Sequence, residues 1–351
     1  MPSGLSRRSF GAIVGAAGLA WTLPRPALAQ SPTRLKMVLN WRYQGPQCFF
    51  FFAQDRGYLR QEGLEVEMDQ GNGSGAAVSA VASGTYDLGF GDINALVSLI
   101  SRGPAGATTP PLAIAALYNR PPFAVAVRAD GPIRTPKDFE GRTLGGAAND
   151  SALKLFPAFA RLAGIDAAKV TVTNMQPNLR EQMLQRGQVD GVFGFVNTIR
   201  FSAKQVGIDP DKDFRFIEYG DYGMDLYSNA VIASRRLAAE KPQALRGLLA
   251  AINRGIKDTL QDLDAAVETV SRREPLLSKP VEKERIVATL KAEMSHPEGR
   301  TIGIGDVDDA RFKRSIAIVT EAEGLPRVPA PEEVFSRAFL PPLAERVTSL
   351  G

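Results

Sequence analysis

The sequence predicts an α/β protein of two lobes with a ligand cleft between them. Apolar strand-like segments alternate with helical ones along the chain, and the order strand, turn, helix occurs in both of the predicted lobes. At 351 residues the chain suits two domains of ordinary size, and 44% hydrophobic with 23% charged residues is the composition of a globular protein. Neither lobe has a complete catalytic set, which favours a binding cleft between them.

The first lobe is clearest in residues 56–92. Apolar and acidic residues alternate from 64 to 69, the pattern of a half-buried strand near a sheet edge. A glycine turn with Gly73 and Ser74 follows and opens an Ala/Val-rich helix, whose free N–H groups suit a polar or anionic ligand group. A glycine turn without any ligand is the alternative interpretation.

Two predicted strands of this lobe end in candidate ligand residues. The first strand, 35–39, is followed by Trp41, Tyr43 and Gln44, and ligands of open α/β sheets collect at the carboxyl ends of strands. The two aromatic rings could stack on a flat solute or cap the core, and the residues alone slightly favour the core. Asp92 ends another strand, where it could cap the next helix or bind ligand.

The second lobe repeats this order. A strand at 142–146 leads to Asn149 and Ser151 at the start of a helix, and a buried strand ends at Phe195. Asn119, between the lobes, is a further candidate. At the return crossing Tyr222 and Asp225 belong to an acidic, aromatic segment, 218–227, which is either a solvated loop or one wall of the cleft.

Residues 1–29 read as a twin-arginine signal peptide. Arg7 and Arg8 precede a short apolar region and a small-x-small cleavage site that ends at Ala29. The apolar run is too short to span a bilayer, so no stable membrane insertion is expected. Its removal takes away three arginines and no acids, so the formal charge falls from +4 to +1 and nucleic acid is not an expected partner. One cysteine and one histidine exclude an internal disulfide and a histidine-based metal cluster.

Several longer stretches carry a family resemblance. "LNWRYQGPQCFFFFAQDRGYLRQEGLEVE", "VASGTYDLGFGD", "PPFAVAVRADGPIRTPKDFEGRTLGG" and "YSNAVIAS" resemble the periplasmic solute-binding proteins of the sulfonate, nitrate and thiamine-precursor group, the NMT1/THI5-like or SsuA/TauA-like proteins. The likeness covers most of residues 35–234. It implies the type II periplasmic-binding-protein architecture and places Trp41 at the cleft.

The resemblance also implies an organisation and a role. Lobe 1 would comprise 30–127 and 228–351, and lobe 2 would comprise 128–227, with crossing strands near 118–128 and 222–232. The protein would be a periplasmic monomer without cofactor or metal that delivers a small organic ligand to the membrane permease of an ABC importer. A thiamine-precursor pyrimidine, a sulfonate and a related carboxylate or heterocycle all stay open as ligands.

An exported dinucleotide oxidoreductase is the alternative function. Residues 71–76 satisfy G-x-G-x-x-A, and Asp92 follows about twenty residues later. However, the preceding strand alternates polar and apolar residues, whereas the first strand of a dinucleotide fold is buried on both faces. Fungal members of the family make a pyrimidine phosphate with histidine and a cysteine-rich segment, and this chain matches neither feature. The sequence therefore predicts a protein that is not an enzyme.

Overall fold

The computed structural model describes residues 31–103 and 109–350, whose ten strands form two five-stranded sheets; the predicted signal peptide lies outside the described residues. The strands are β1 (Thr33–Val38), β2 (Leu64–Asp69), β3 (Leu88–Asp92), β4 (Leu112–Ala116), β5 (Phe123–Arg128), β6 (Thr143–Gly146), β7 (Thr171–Asn174), β8 (Gly191–Phe195), β9 (Phe214–Glu218) and β10 (Asn229–Ala233). The first sheet has the order β2-β1-β3-β10-β4, and the second has the order β7-β6-β8-β5-β9.

Helices cover the sheets and form most of the C-terminal part. They are α1 (Cys48–Asp55), α2 (Tyr58–Gln61), α3 (Ser74–Ala82), α4 (Ile93–Arg102), α5 (Ser151–Lys154), α6 (Phe156–Leu162), α7 (Arg180–Gln185), α8 (Val196–Gln205), α9 (Pro210–Asp213), α10 (Arg235–Glu240), α11 (Pro242–Gln261), α12 (Leu263–Ser271), α13 (Lys279–Thr289), α14 (Gly299–Ile302), α15 (Asp309–Ala322) and α16 (Pro331–Val334). A π-helical turn, Leu290–Met294, continues α13. Short 3₁₀ helices lie at Gly45–Gln47, Pro136–Phe139, Ala167–Lys169, Pro177–Leu179, Tyr219–Tyr222, Arg337–Phe339 and Leu343–Glu345. Within 31–103 and 109–350, no helix is both long and apolar enough to cross a membrane.

Both sheets are built on one plan. Strands β2, β1 and β3 run parallel, and β10 is antiparallel to its neighbours β3 and β4. In the second sheet β7, β6 and β8 run parallel, and β5 is antiparallel to its neighbours β8 and β9. The carboxyl ends of the parallel strands therefore share one edge in each sheet.

The predicted α/β fold with two similar halves is confirmed. Strand β2 lies at the edge of its sheet, with Leu64 and Val66 buried and Glu65 and Glu67 exposed. The chain enters the second sheet between β4 and β5 and returns between β9 and β10, so β5 belongs to the second sheet. The exact lobe boundaries remain a prediction.

The core of the first sheet depends on helix α1. Its four consecutive phenylalanines are all buried, and burial of a phenylalanine contributes ~1.5–3 kcal/mol. Helix α11 packs on α1 at Gly255, where a Cβ atom would lie 2.2 Å from the carbonyl oxygen of Phe49. A glycine at this position lets the two helices approach closely, which anchors the C-terminal helices to the first sheet.

Candidate ligand cleft

The carboxyl edges of the two sheets face each other and touch. Gly75 follows β2 along the chain, and Asn149 follows β6. The backbone N–H of Gly75 donates to the backbone carbonyl oxygen of Asn149 at 3.4 Å. Beside this contact lies a pocket, the central hollow, lined by Asn40, Trp41, Gly73, Ser74, Asp150, Ser151, Phe195 and Thr198. Its volume is about 20 Å³, room for about one water molecule, so a solute enters only if the two edges separate.

Trp41 faces this hollow, just beyond the end of β1. Its ring is half-buried, and the guanidinium carbon of Arg180, from the second sheet's side, lies 5.9 Å from the ring centroid. Arg180 is buried and binds Glu181 at 2.7 Å, and one of its nitrogens lies 3.7 Å from Asp150. Burial raises the pKa of Asp150, and the charge of Arg180 opposes that shift. The aromatic ring of Trp41 thus lies beside a buried cluster of opposite charges, formed by Arg180, Glu181 and Asp150.

The glycine turn reaches across to the second sheet. Gly73 has φ +115°, a conformation that favours glycine, and a Cβ atom there would lie 2.4 Å from the carbonyl oxygen of Asn149. Ser74 is the first residue of α3, and its hydroxyl donates to Oδ1 of Asn229 at 3.4 Å. Protein backbone therefore occupies the approach that a dinucleotide pyrophosphate would need, so the turn gives the oxidoreductase hypothesis no support.

Asp92 and Ser151 hold polar atoms without regular hydrogen bonds. Oδ1 of Asp92 accepts from the backbone N and from Nδ2 of Asn94, at 3.2 and 2.8 Å, so its predicted capping role is confirmed. Oδ2 of Asp92 and Oγ of Ser151 have no hydrogen-bond partner among the described residues. Burial raises the pKa of Asp92 to about 7, and interactions with Asn94 and the nearby Ser151 hydroxyl oppose the shift. With Asn149, both residues also line a second cavity behind the hollow.

Two predicted ligand residues, Tyr43 and Gln44, make contacts outside the central hollow. The Tyr43 hydroxyl donates to the carbonyl oxygen of Met68 at 2.6 Å, and its ring packs edge-on against Phe51 at 5.3 Å. Gln44 is buried and accepts from Arg285 at 2.9 Å. The structure therefore gives both side chains packing and hydrogen-bonding roles away from the hollow.

The predicted acidic, aromatic wall belongs to another network. Asp225 binds Arg311 at 2.8 and 3.0 Å; burial alone would raise its pKa, but Arg311 lowers it overall. The side-chain amide of Asn119 donates to Glu298 at 3.1 Å, and the backbone carbonyl oxygen of Asn119 accepts from Arg311. Tyr222 packs edge-on against Phe159 at 5.6 Å. These three predicted site residues do not line the central hollow, and the charge of Asp225 is already compensated.

Some residues of the hollow are absent from the predicted set. Asn40 and Asp150 directly precede Trp41 and Ser151, so the strand-end argument could have included them. Thr198 lies on α8, one turn beyond Phe195. Arg180 reaches Trp41 from α7, about 140 residues away along the chain, and no local pattern indicates that contact.

The reactive side chains of the chain are dispersed. Cys48 is buried with its sulfur 3.6 Å from the Thr259 hydroxyl oxygen, and burial raises its pKa to about 12. His296 lies 3.5 Å from a carboxylate oxygen of Glu298, in the Arg311 network. No group of three or more His, Cys, Asp and Glu residues that could hold a metal ion occurs in the described part of the chain.

Two α/β sheets of this topology, with their carboxyl edges facing each other, define a periplasmic-binding-protein fold, and solved structures bear this out. The chain superposes on the alkanesulfonate-binding protein SsuA of Xanthomonas axonopodis pv. citri, bound to MOPS, with a TM-score of 0.64 at 17% identity, over 87% of this chain and 99% of that one. The periplasmic aliphatic sulphonate-binding protein SsuA of Escherichia coli also gives 0.64, at 16% identity over 87% and 92%. The model of the family described as NMT1/THI5 like matches residues 47–266. The chain belongs to this family.

Relatives in the family have different names. The 4-amino-5-hydroxymethyl-2-methylpyrimidine phosphate synthase of Legionella pneumophila is 20% identical, over 75% of this chain and 81% of its own. The riboflavin-binding protein RibY of Chloroflexus aurantiacus is 24% identical, over 69% and 68%. The formylaminopyrimidine-binding protein of Halalkalibacterium halodurans is 21% identical, over 86% and 89%.

These names correct one prediction. Proteins of Aspergillus parasiticus and Schizosaccharomyces pombe, 20% and 22% identical, carry the same synthase name as the Legionella relative. The prediction that this protein is not an enzyme is therefore wrong. It depended on the missing histidine and cysteine-rich features of fungal members, and a local motif comparison is a poor guide at this sequence distance.

Proposed function

We propose that the protein is the solute-binding component of an ABC importer and closes its two lobes around a small organic molecule in the central hollow. The observation that carries the proposal is the composition of the hollow, to which the strand ends of both sheets contribute. A site shared between two lobes opens and closes with their separation, as solute capture requires. The closed form is what the membrane permease would recognise.

The favoured solute is a neutral, planar heterocycle. Trp41 and Phe195 offer aromatic surface, while Asn40, Ser74 and Thr198 offer neutral polar groups. None of the lining residues is a cation that could neutralise a sulfonate. Asp225, which could have attracted an amino group from the predicted acidic wall, is bound to Arg311. The relatives named for binding riboflavin and formylaminopyrimidine support a heterocycle.

Tryptophan emission tests this proposal. Trp41 is the one tryptophan that remains after removal of residues 1–29, so its fluorescence reports on the hollow. Titration with 4-amino-5-hydroxymethyl-2-methylpyrimidine should shift or quench the emission, whereas MOPS should not. Trp41→Ala should weaken calorimetric binding of the pyrimidine by ~1–3 kcal/mol, the scale of a lost buried aromatic contact.

The matched control is Tyr222→Ala, which removes an aromatic side chain outside the hollow and should leave the affinity unchanged. Equal binding of the pyrimidine by the parent protein and Trp41→Ala would place the site elsewhere. Binding of MOPS in preference to the pyrimidine would overturn the neutral-solute assignment.

We further propose that the twin-arginine signal directs the protein to the periplasm. The paired arginines are the feature that the export machinery reads. The double variant Arg7→Lys/Arg8→Lys should therefore keep the precursor in the cytoplasm, as judged by immunoblots of cell fractions. Arg25→Lys, in the same leader but outside the pair, is the control and should export normally; periplasmic recovery of the double variant would rule the twin-arginine route out.

A further inference from the structure

A second cavity, the side chamber, lies behind the central hollow. It has a volume of about 340 Å³ and lies between α3 and α4 on one side and α5 with Leu155 on the other, with Glu323 just beyond α15 at its rim. Ser151 lines both the chamber and the hollow. A volume of this size suits a small molecule rather than one or two waters.

The polar end of the chamber contains two buried oxygen atoms that lack a regular hydrogen bond. Oδ2 of Asp92 and Oγ of Ser151 belong to residues that are only 1% and 3% exposed, and neither atom has a hydrogen-bond partner among the described residues. Buried polar atoms are normally paired, and each one left unpaired destabilises the fold. Oδ1 of Asp92 is already satisfied by Asn94, so the free acceptor is specifically Oδ2.

The other residues of the chamber have no buried side-chain oxygen or nitrogen without a hydrogen-bond partner. Val78, Ala95, Leu99 and Leu155 form an apolar wall. At the rim Glu323 accepts from Ser98 at 2.9 Å and from Arg102 at 2.7 Å, so its carboxylate is satisfied. The chamber thus combines an apolar body with a polar end that holds one unpaired carboxylate oxygen and one unpaired hydroxyl.

We propose that the side chamber is a binding site for a small apolar molecule that ends in a hydroxyl or amino group. The apolar body lies against the side chains of α3 and α4 and against Leu155. The terminal group donates a hydrogen bond to Oδ2 of Asp92 and shares the Ser151 hydroxyl as a second partner. The assignment rests on Asp92 and the chamber wall, and it stands independently of the solute in the central hollow.

The test compares benzyl alcohol with benzyl methyl ether, which share an apolar ring but differ in the donor. Ligand-observed NMR titrations at pH 8, where the Asp92 carboxyl, with its pKa of about 7, is mostly ionised, should show the alcohol binding about tenfold more tightly than the ether. Asp92→Asn keeps a capping oxygen for Asn94 but replaces the free acceptor with an NH₂ donor. In that variant the preference for the alcohol should disappear.

Two further variants keep the test decisive. Asp308→Asn alters a carboxylate that caps α15 in the same way but lies outside the chamber, and it should retain the alcohol preference. Ala95→Leu fills the apolar wall and should weaken both probes without changing the Trp41 response to a solute in the hollow. Equal affinity of the parent protein for alcohol and ether, or an unaltered preference in Asp92→Asn, would overturn the proposal.

Discussion

Glu293 is a buried carboxylate at the junction of the two lobes. It is 4% exposed, and its Oε1 accepts from Nδ2 of Asn197 on α8 at 3.0 Å. Burial raises its pKa from 4.5 to about 8, and the hydrogen bond from Asn197 and the charge of Arg285 only partly oppose this. The folded protein therefore holds a proton at Glu293 at pH values where the unfolded chain has lost it.

This residue predicts a pH-dependent stability. A carboxyl whose folded pKa is raised contributes stability that is complete below its unfolded pKa of 4.5 and is lost as the pH rises through about 8. Glu293→Gln keeps the acceptor for Asn197 and removes this dependence, so the fall in unfolding free energy between pH 5 and pH 9 should shrink by on the order of 3 kcal/mol. Urea unfolding at both pH values measures it.

The pKa of Asp92 is also raised, and Asp92 remains in that variant. Some fall of the unfolding free energy with rising pH should therefore persist. Asp308→Asn is the control for the general effect of losing a carboxylate. Asp308 caps α15 by accepting a hydrogen bond from the backbone N–H of Arg311. A Glu293→Gln protein with the full parental slope would show that Glu293 is ionised in the folded state.

At the scale of elements, the glycine turn before α3 joins the two sheets. Gly73 combines a left-handed φ with a backbone contact to the loop at Asn149, so it cannot accept a side chain without moving that loop. Gly84 follows the same helix along the chain and has φ +78°, but no atom lies within 4 Å of the point where a Cβ atom would lie. A substitution at Gly84 therefore measures the cost of the backbone conformation without a steric clash.

Gly73→Ala should therefore lower stability by ~2–4 kcal/mol, or open the cleft, because strain and steric clash add. Gly84→Ala should cost only ~1 kcal/mol, from the left-handed φ alone. Thermal unfolding and solute titrations of both variants measure the difference. Identical behaviour of the two would mean that the contact between Gly73 and Asn149 does not hold the cleft edges together.

At the scale of the whole molecule, α8 is tied to the C-terminal helices. Gln205 donates to Glu282 on α13 at 2.6 Å, and Asn197 donates to Glu293 at 3.0 Å. The guanidinium of Arg285 lies over the ring of Phe201 at 5.6 Å. Helix α8 follows the last parallel strand of the second sheet, whereas α13 packs on α12 and thus on α1 of the first. These contacts bridge the lobes beside the cleft.

Removal of the bridge should favour the open form. The double variant Asn197→Ala/Gln205→Ala removes one interlobe donor from each of two buried acidic side chains, so small-angle scattering should show a larger radius of gyration, which the pyrimidine solute restores. Lys204→Ala removes an exposed pair with Glu284 on the same helices and should change little. Scattering of the double variant identical to the parent would assign closure to other contacts.

Local patterns were sufficient for the elements themselves. The edge strand at 64–69 follows from the alternation of apolar and acidic residues, and the Asp92 cap involves a residue only two positions further along the chain. The approach of Trp41 and Ser74 to Ser151 was also predictable in kind, because the carboxyl ends of parallel strands share one edge.

The partners of the charged residues were decided by the tertiary structure alone. Asp225 is bound by Arg311 and Trp41 is covered by Arg180, each pair separated by more than eighty residues. Long, flexible arginine side chains can reach many acids, and packing selects among them after the lobes have formed. The sequence by itself determined the strands, helices and turns of this protein, because those depend on neighbours along the chain. Only the tertiary structure decided which side chains face the hollow and which charges are already neutralised, because those depend on neighbours in space.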